Sequence, residues 1–74
     1  MTRVAIAGVS GRMGKHIAAA VLEHSQVSLA AASVHGESPA LGLDVGTVCG
    51  LDPQNLATVA DLGAYRLDLL VDDV

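Results

Sequence analysis

Seven residues, Gly8-Val9-Ser10-Gly11-Arg12-Met13-Gly14, constrain this chain more than any others. They follow a short apolar run, Val4-Ala5-Ile6-Ala7, and open a segment with helical periodicity. A strand, a glycine turn and a helix start in that order form a cradle for an anion. The first turn of a helix leaves backbone N–H groups unpaired, and the helix dipole adds positive potential at the same place. Each glycine has a physical task in such a turn. Gly8 lets the chain leave the strand at a backbone angle that other residues resist, and Gly11 lets the backbone approach a pyrophosphate. Gly14 lets the new helix pack close to the first strand. The spacing is Gly-x-x-Gly-x-x-Gly, one residue longer than the common dinucleotide fingerprint, with Ser10 in the middle. A tight connection that binds nothing is the competing reading. The strand before the turn and the helix after it favour the phosphate cradle.

The rest of the chain is read against that turn. With 74 residues it holds at most one small domain, and chains of this size bury only about 60% of their unfolded surface. The usual staples are missing. Cys49 is the single cysteine and has no disulfide partner, and no Cys/His set has the spacing of a structural zinc site. Phe and Trp are absent and Tyr65 is the one tyrosine, so any core is built from Val, Leu, Ile and Ala. The expectation is a piece of something larger.

A hydrophobic fraction of 51% argues against intrinsic disorder. The longest strongly apolar stretch runs only from Ile17 to Leu22, far short of the ~20 residues that span a bilayer. Too few apolar residues follow Met1-Thr2-Arg3 for a signal peptide. A lone thiol and no export signal point to a cytoplasmic protein. The net charge of −4 provides no basic footprint, so neither nucleic acid nor membrane is an expected partner. Arg12, Lys15 and His16 nevertheless make the surroundings of the glycine turn locally basic.

Residues 2–8 read as a strand buried on both faces, as in a parallel sheet. Residues 12–24 read as a helix whose buried face holds Met13, Ile17, Ala20, Val21 and His24. His24 would be favoured near the helix C-terminus if protonated. Residues 27–34 read as a second strand, completing a βαβ unit with parallel strands. From His35 to Gly50 the glycines and Pro39 break any periodicity, which predicts a long functional or mobile loop. Residues 56–60 are a candidate short strand, 61–65 a turn, and 67–72 the last strand. The predicted fold class is α/β, a partial Rossmann-type parallel sheet: a βαβ unit, a long loop, and one or two further strands.

Outside the glycine turn the candidates are fewer. Arg12 offers a planar fork for phosphate and Lys15 a point charge. His16 and His24 read as surface residues. An acid that binds the adenosine ribose usually ends the second strand of such units. That place falls near Ser33-Val34-His35, with no carboxylate before Glu37. The missing acid and the adjacent His35 tilt the reading toward a cofactor with a 2′-phosphate. Asp72 and Asp73 are adjacent on a strand and point to opposite faces, so they read as solvated acids. Cys49 reads as inert. No metal site and no catalytic residue are assigned.

With these motifs identified, the stretch Val4 to Lys15 resembles the N-terminal signature of the 4-hydroxy-tetrahydrodipicolinate reductase (dihydrodipicolinate reductase) family. Ser38-Pro39-Ala40-Leu41-Gly42-Leu43-Asp44-Val45-Gly46 is similar to that family's loop after the second strand, and Asp68-Leu69-Leu70-Val71-Asp72 to its next core strand. The resemblance implies a two-domain, tetrameric cytoplasmic enzyme of the diaminopimelate route to lysine, using NADH or NADPH to form tetrahydrodipicolinate. It implies that Gly8, Val9, Ser10, Gly11, Arg12 and Met13 hold the pyrophosphate. The family's ribose-binding acid falls on Val34 and its neighbouring basic position on His35, which puts NADPH slightly ahead of NADH.

Where the family continues after Asp72 with an aromatic residue and a threonine, this chain has Asp73 and Val74. The family's proton-donating histidine and substrate-binding lysine lie in a second domain. The expectation is therefore that residues 1–74 are an N-terminal dinucleotide-binding domain, truncated, without the catalytic and tetramer-forming domain. Such a chain is inactive alone, because nothing in it protonates or clamps a substrate. Two other readings stand beside this one: a stand-alone nucleotide-binding module, and a fragment of a semialdehyde-dehydrogenase-like enzyme. The last needs a nucleophilic cysteine, and Cys49 sits early, in a glycine-rich loop.

Overall fold

The computed structural model describes residues 2–72. Met1 and the departure at Asp73-Val74, including the Asp72–Asp73 comparison, lie outside the described residues. Strand β1 (Thr2–Ala7) leads through the glycine turn into helix α1 (Gly14–Glu23), and strand β2 (Val27–Ala32) follows. A long loop contains one short helix, α2 (Val45–Val48), and the last element is strand β3 (Leu69–Asp72). The strands form one parallel sheet in the order β2-β1-β3. The expected α/β class and parallel βαβ unit are therefore present.

The central strand is β1 because its side chains tolerate cover on both faces. Val4, Ala5 and Ile6 are all buried, and fully burying a residue such as Ile6 contributes about 1.5–3 kcal/mol. Against β2 its register runs from Thr2 opposite Val27 to Ile6 opposite Ala32, with an irregularity between Val4 and Ala5. Against β3 it runs from Val4 opposite Leu69 to Ala7 opposite Asp72.

Helix α1 packs on this sheet with a different face from the expected one. Gly14 and Ala18 are buried and Ile17 and Val21 partly so, whereas Met13, Ala20 and His24 are exposed. The close approach of Gly14 sets this rotation. A Cβ on Gly14 would lie 1.6 Å from the Val9 carbonyl oxygen, so only glycine fits there. The contact is to the turn itself rather than to the first strand. His24 Nδ1 accepts the Gln26 N–H at 3.1 Å.

The loop is more ordered than its glycines predict. Asp44 caps α2, accepting from the Thr47 N–H at 3.0 Å. The same carboxylate accepts from the Leu56 N–H at 3.0 Å and the Gln54 N–H at 3.1 Å. Asn55, with φ 55, turns the backbone so that its two neighbours both donate inward. These bonds hold the Asp44 carboxyl well below the usual carboxylate range. Its pKa is lowered from 3.8 to about 2, chiefly by the Leu56 N–H, with partial desolvation opposing and the bonds from Thr47 and Gln54 adding to the effect.

Residues 56–60 do not form a strand. They make isolated bridges instead, Ala57 antiparallel to Asp44 and Val59 parallel to Ser33. Two partners in different directions leave no continuous ladder. Buried Thr58 fills the corner, its hydroxyl donating to the Ala40 carbonyl at 2.6 Å and accepting from the Gly42 N–H at 3.0 Å. Asp61 and Gly63 form the expected turn through a 2.8 Å bond from the Gly63 N–H to Oδ1.

The last strand starts at Leu69 rather than at residue 67. The Asp68 carboxylate accepts the Arg3 N–H at 2.9 Å, and Arg3 Nε donates to the Arg66 carbonyl at 2.8 Å. The Asp68 N–H donates to the Arg3 carbonyl at 2.9 Å, so the backbone makes one bond of the pair and the Asp68 carboxylate takes the other just before the ladder begins. Leu69 and Leu70 are each 52% exposed, and successive strand residues point to opposite faces. Leu69 and Leu70 thus leave both faces open at the start of β3, while Val71 is partly buried.

Two outcomes follow from this packing. Gly14→Ala loses about 3 kcal/mol of stability or fails to fold, because overpacking outweighs the at most ~1 kcal/mol gained in helix propensity. Urea denaturation checks it, and an unchanged midpoint would contradict the close approach to Val9. Because the folded-state pKa of Asp44 lies below the ordinary value, its contribution is present above 3.8 and is lost as pH falls from 3.8 through about 2. Asp44→Asn removes that part of the acid transition, as followed by circular dichroism across the same window.

Candidate functional site

The candidate site forms where β1 and β2 end side by side. Gly8 adopts φ 73, the left-handed conformation that favours glycine. The turn closes through a 2.9 Å bond from the Gly11 N–H to the Gly8 carbonyl. Val9 then points inward, 1% exposed, while its N–H donates to the Ser33 carbonyl at 2.9 Å. This bond ties the glycine turn to the end of β2.

Between the two strand ends lies an open cleft of about 360 Å³. Ala7, Gly8, Ser10 and Gly11 line one wall, and Ser33, Val34 and His35 the other. In open α/β sheets, ligands bind outside the carboxyl ends of the strands, and β1 is where the strand order reverses here.

The electrostatics of the first wall favour an anion. Helix α1 has no side-chain cap and no acid in its first turn. Among the described residues, the backbone N–H groups of Ser10, Arg12 and Met13 have no hydrogen-bond partner. Arg12 and Lys15 are exposed close by. Orphan donors, the positive end of the dipole and two cations thus share one end of the helix.

The opposite wall is neutral to weakly polar. His35 is exposed and accepts the Glu37 N–H on Nδ1 at 3.3 Å, which leaves Nε2 for other partners. Val34 lies two residues past the end of β2. It is 3% exposed, belongs to the core cluster, and donates its N–H to the Val59 carbonyl at 2.9 Å. A carboxylate buried in that core would carry a large desolvation cost.

The structure brings Gly8, Ser10, Gly11 and His35 to the cleft lining, and sends Val9 into the core beneath it. Arg12 and Met13 lie exposed at the start of α1, outside the lining. Ala7 joins the site because it ends β1, and Ser33 and Val34 because they follow directly on β2, a signal present in the strand boundaries.

Cys49 is buried, with Sγ 3.9 Å from the Val9 carbonyl, and burial pushes its thiol pKa up. Such a thiol is a poor nucleophile. No group of three or more His, Cys, Asp or Glu residues that could hold a metal exists among the described residues. No helix among them is long and apolar enough to cross a membrane.

Comparison with known proteins agrees with this geometry. Residues 2–72 match the family model described as dihydrodipicolinate reductase, N-terminus. The chain is 43% identical over 74 residues to a 4-hydroxy-tetrahydrodipicolinate reductase of Hahella chejuensis, covering 97% of this chain and 28% of that protein. It is 38% identical over 73 residues to the enzyme of the same name from Saccharophagus degradans, covering 96% of this chain and 27% of that one. For the enzyme of that name from Syntrophotalea carbinolica the identity is 36% over 74 residues, covering 97% and 28%. The chain thus spans little more than a quarter of the length of these curated relatives. By its family model and these relatives alike, it belongs to the dihydrodipicolinate reductase family and corresponds to the N-terminal part.

Proposed function

We propose that this chain is the NAD(P)H-binding portion of a cytoplasmic reductase that converts 4-hydroxy-tetrahydrodipicolinate to tetrahydrodipicolinate in lysine and diaminopimelate biosynthesis. One observation carries the reading. The cleft pairs a glycine turn, whose Ser10 N–H is unpartnered and which leads to the unpartnered N–H groups of Arg12 and Met13 at the start of α1, with the residues that follow β2, Ser33 to His35. Those are the two contacts a dinucleotide needs, one for its pyrophosphate and one for its adenosine ribose.

In this reading the turn from Gly8 to Met13 surrounds the pyrophosphate. Ser10 presents its N–H and hydroxyl from the lining, Gly11 allows close approach because it has no side chain, and Val9 holds the turn down from below. Arg12 adds charge from the solvent side. His35, in the lining with Nδ1 already bonded to the Glu37 N–H, has Nε2 left to serve a 2′-phosphate, and the place of the ribose acid is taken by a buried valine. That combination puts NADPH slightly ahead of NADH. The bound cofactor supplies a hydride, and the residues here bind and orient it.

The domain assignment is part of the same proposal: residues 1–74 are the N-terminal dinucleotide-binding part, with catalysis and tetramer formation left to the remaining length of the enzyme. The exposed Leu69 and Leu70 on both faces of β3 support it, since a doubly wound sheet covers both faces with further elements.

Calorimetric titration with NADPH and NADH tests the reading. The expected result is binding of both with NADPH the tighter, and no hydride transfer to substrate by this chain alone. Arg12→Ala weakens both nucleotides by about tenfold, the worth of one charge-assisted hydrogen bond. His35→Ala lowers NADPH affinity to the NADH level and leaves NADH unchanged. A chain shown to be folded that binds neither nucleotide overturns the proposal.

A further inference from the structure

Beyond His35, the loop that leads to β3 (residues 36–68) lines no part of the cleft, yet its contacts reach both walls. One arm reaches the glycine turn. Cys49, the residue capping the end of α2, places Sγ 3.9 Å from the Val9 carbonyl, and Val45 and Cys49 share a core with Val9. The other arm reaches the strand end. The Val59 N–H donates to the Ala32 carbonyl at 3.0 Å, and the Val59 carbonyl accepts from the Val34 N–H at 2.9 Å, one residue before His35.

The two arms are joined at one side chain. Asp44 Oδ2 accepts from the Thr47 N–H at 3.0 Å, which secures the α2 arm. Asp44 Oδ1 accepts from the Leu56 N–H at 3.0 Å, and both oxygens lie 3.1 Å from the Gln54 nitrogen, which secures the segment leading to Val59. The backbone repeats the link, with the Val45 N–H donating to the Leu56 carbonyl at 2.8 Å.

We propose that Asp44 is a positioning residue for dinucleotide binding, holding the glycine turn and the Val34–His35 wall at the separation that one ligand must span. The inference rests on the cofactor reading above. Asp44 is absent from the cleft lining and acts through the loop. An ionised carboxylate suits the task because it only accepts, so every N–H converging on it finds a lone pair. Asparagine would turn an NH₂ group toward some of those donors. Serine would keep the cap on Thr47 and lose the reach to Gln54 and Leu56.

A ligand touching both walls depends on their separation, whereas inorganic pyrophosphate occupies the glycine turn alone. The test titrates the unaltered full chain, Asp44→Asn and Asp44→Ser with NADPH and with inorganic pyrophosphate, with the folded fraction verified by circular dichroism. Both variants are expected to lose about tenfold in NADPH affinity while pyrophosphate affinity stays within about twofold. Equal losses for the two ligands mean a merely structural role and overturn the proposal. Unchanged NADPH affinity in either folded variant overturns it too.

Hydrogen exchange on the unaltered chain decides where a variant does not fold or pyrophosphate binds too weakly to titrate. Coupling is reciprocal, so NADPH must slow exchange at the N–H groups of Thr47, Gln54 and Leu56. Slowed exchange at Ser33 to His35 with no change at those three overturns the inference alone. No NADPH binding by the unaltered chain overturns the cofactor reading as well.

Discussion

The peptide at Val9 is the point on which the rest of the structure depends. Its N–H holds the end of β2, its side chain enters the core, and its carbonyl lies against both Gly14 and Cys49. Three elements therefore meet on one residue. Because its backbone and side chain are engaged inward, the neighbouring Ser10 and Gly11 are left to face the cleft. The wall that the glycine turn presents to the cleft is a by-product of how firmly Val9 is held.

Around this point the chain builds two supports of different kinds. The sheet is an apolar support, with Val4, Ala5 and Ile6 buried at its centre. The loop is a polar support, organised by the Asp44 carboxylate and the buried Thr58 hydroxyl. Small chains without aromatic bulk or disulfides have little apolar area to bury. Here hydrogen-bonded corners hold the loop in place of aromatic packing. Leu69 and Leu70 stay exposed on the outer strand, so the apolar support is incomplete on that side.

Much of the fold was legible in the residues themselves. The βαβ unit follows from a β-branched run, a glycine turn and a helical period, all encoded within short windows. The positive φ at Gly8 and the close approach at Gly14 follow from the same logic. The face of α1 did not, because Met13 and Ala18 are both compatible with the apolar period and only docking on Val9 chooses between rotations. Helix α2 was hidden by flanking glycines, although Asp44 three residues before Thr47 is an N-cap signal. In the cleft lining, Gly8, Ser10, Gly11 and the Ser33 to His35 stretch were readable from turn chemistry and position, whereas Ala7 carries no chemical signal of its own.

Sequence alone determined that this chain makes a parallel βαβ unit with a glycine turn at its first crossing, since strand, turn and helix are each local. Tertiary structure decided which helix face is buried, that residues 56–60 form bridges rather than a strand, and that β3 begins at Leu69. It also decided that Asp44 links both sides of the cleft. Those outcomes depend on contacts between residues as distant as Val9 and Cys49 or Arg3 and Asp68. Periodicity within a short window cannot register such contacts, because each exists only after the elements have docked.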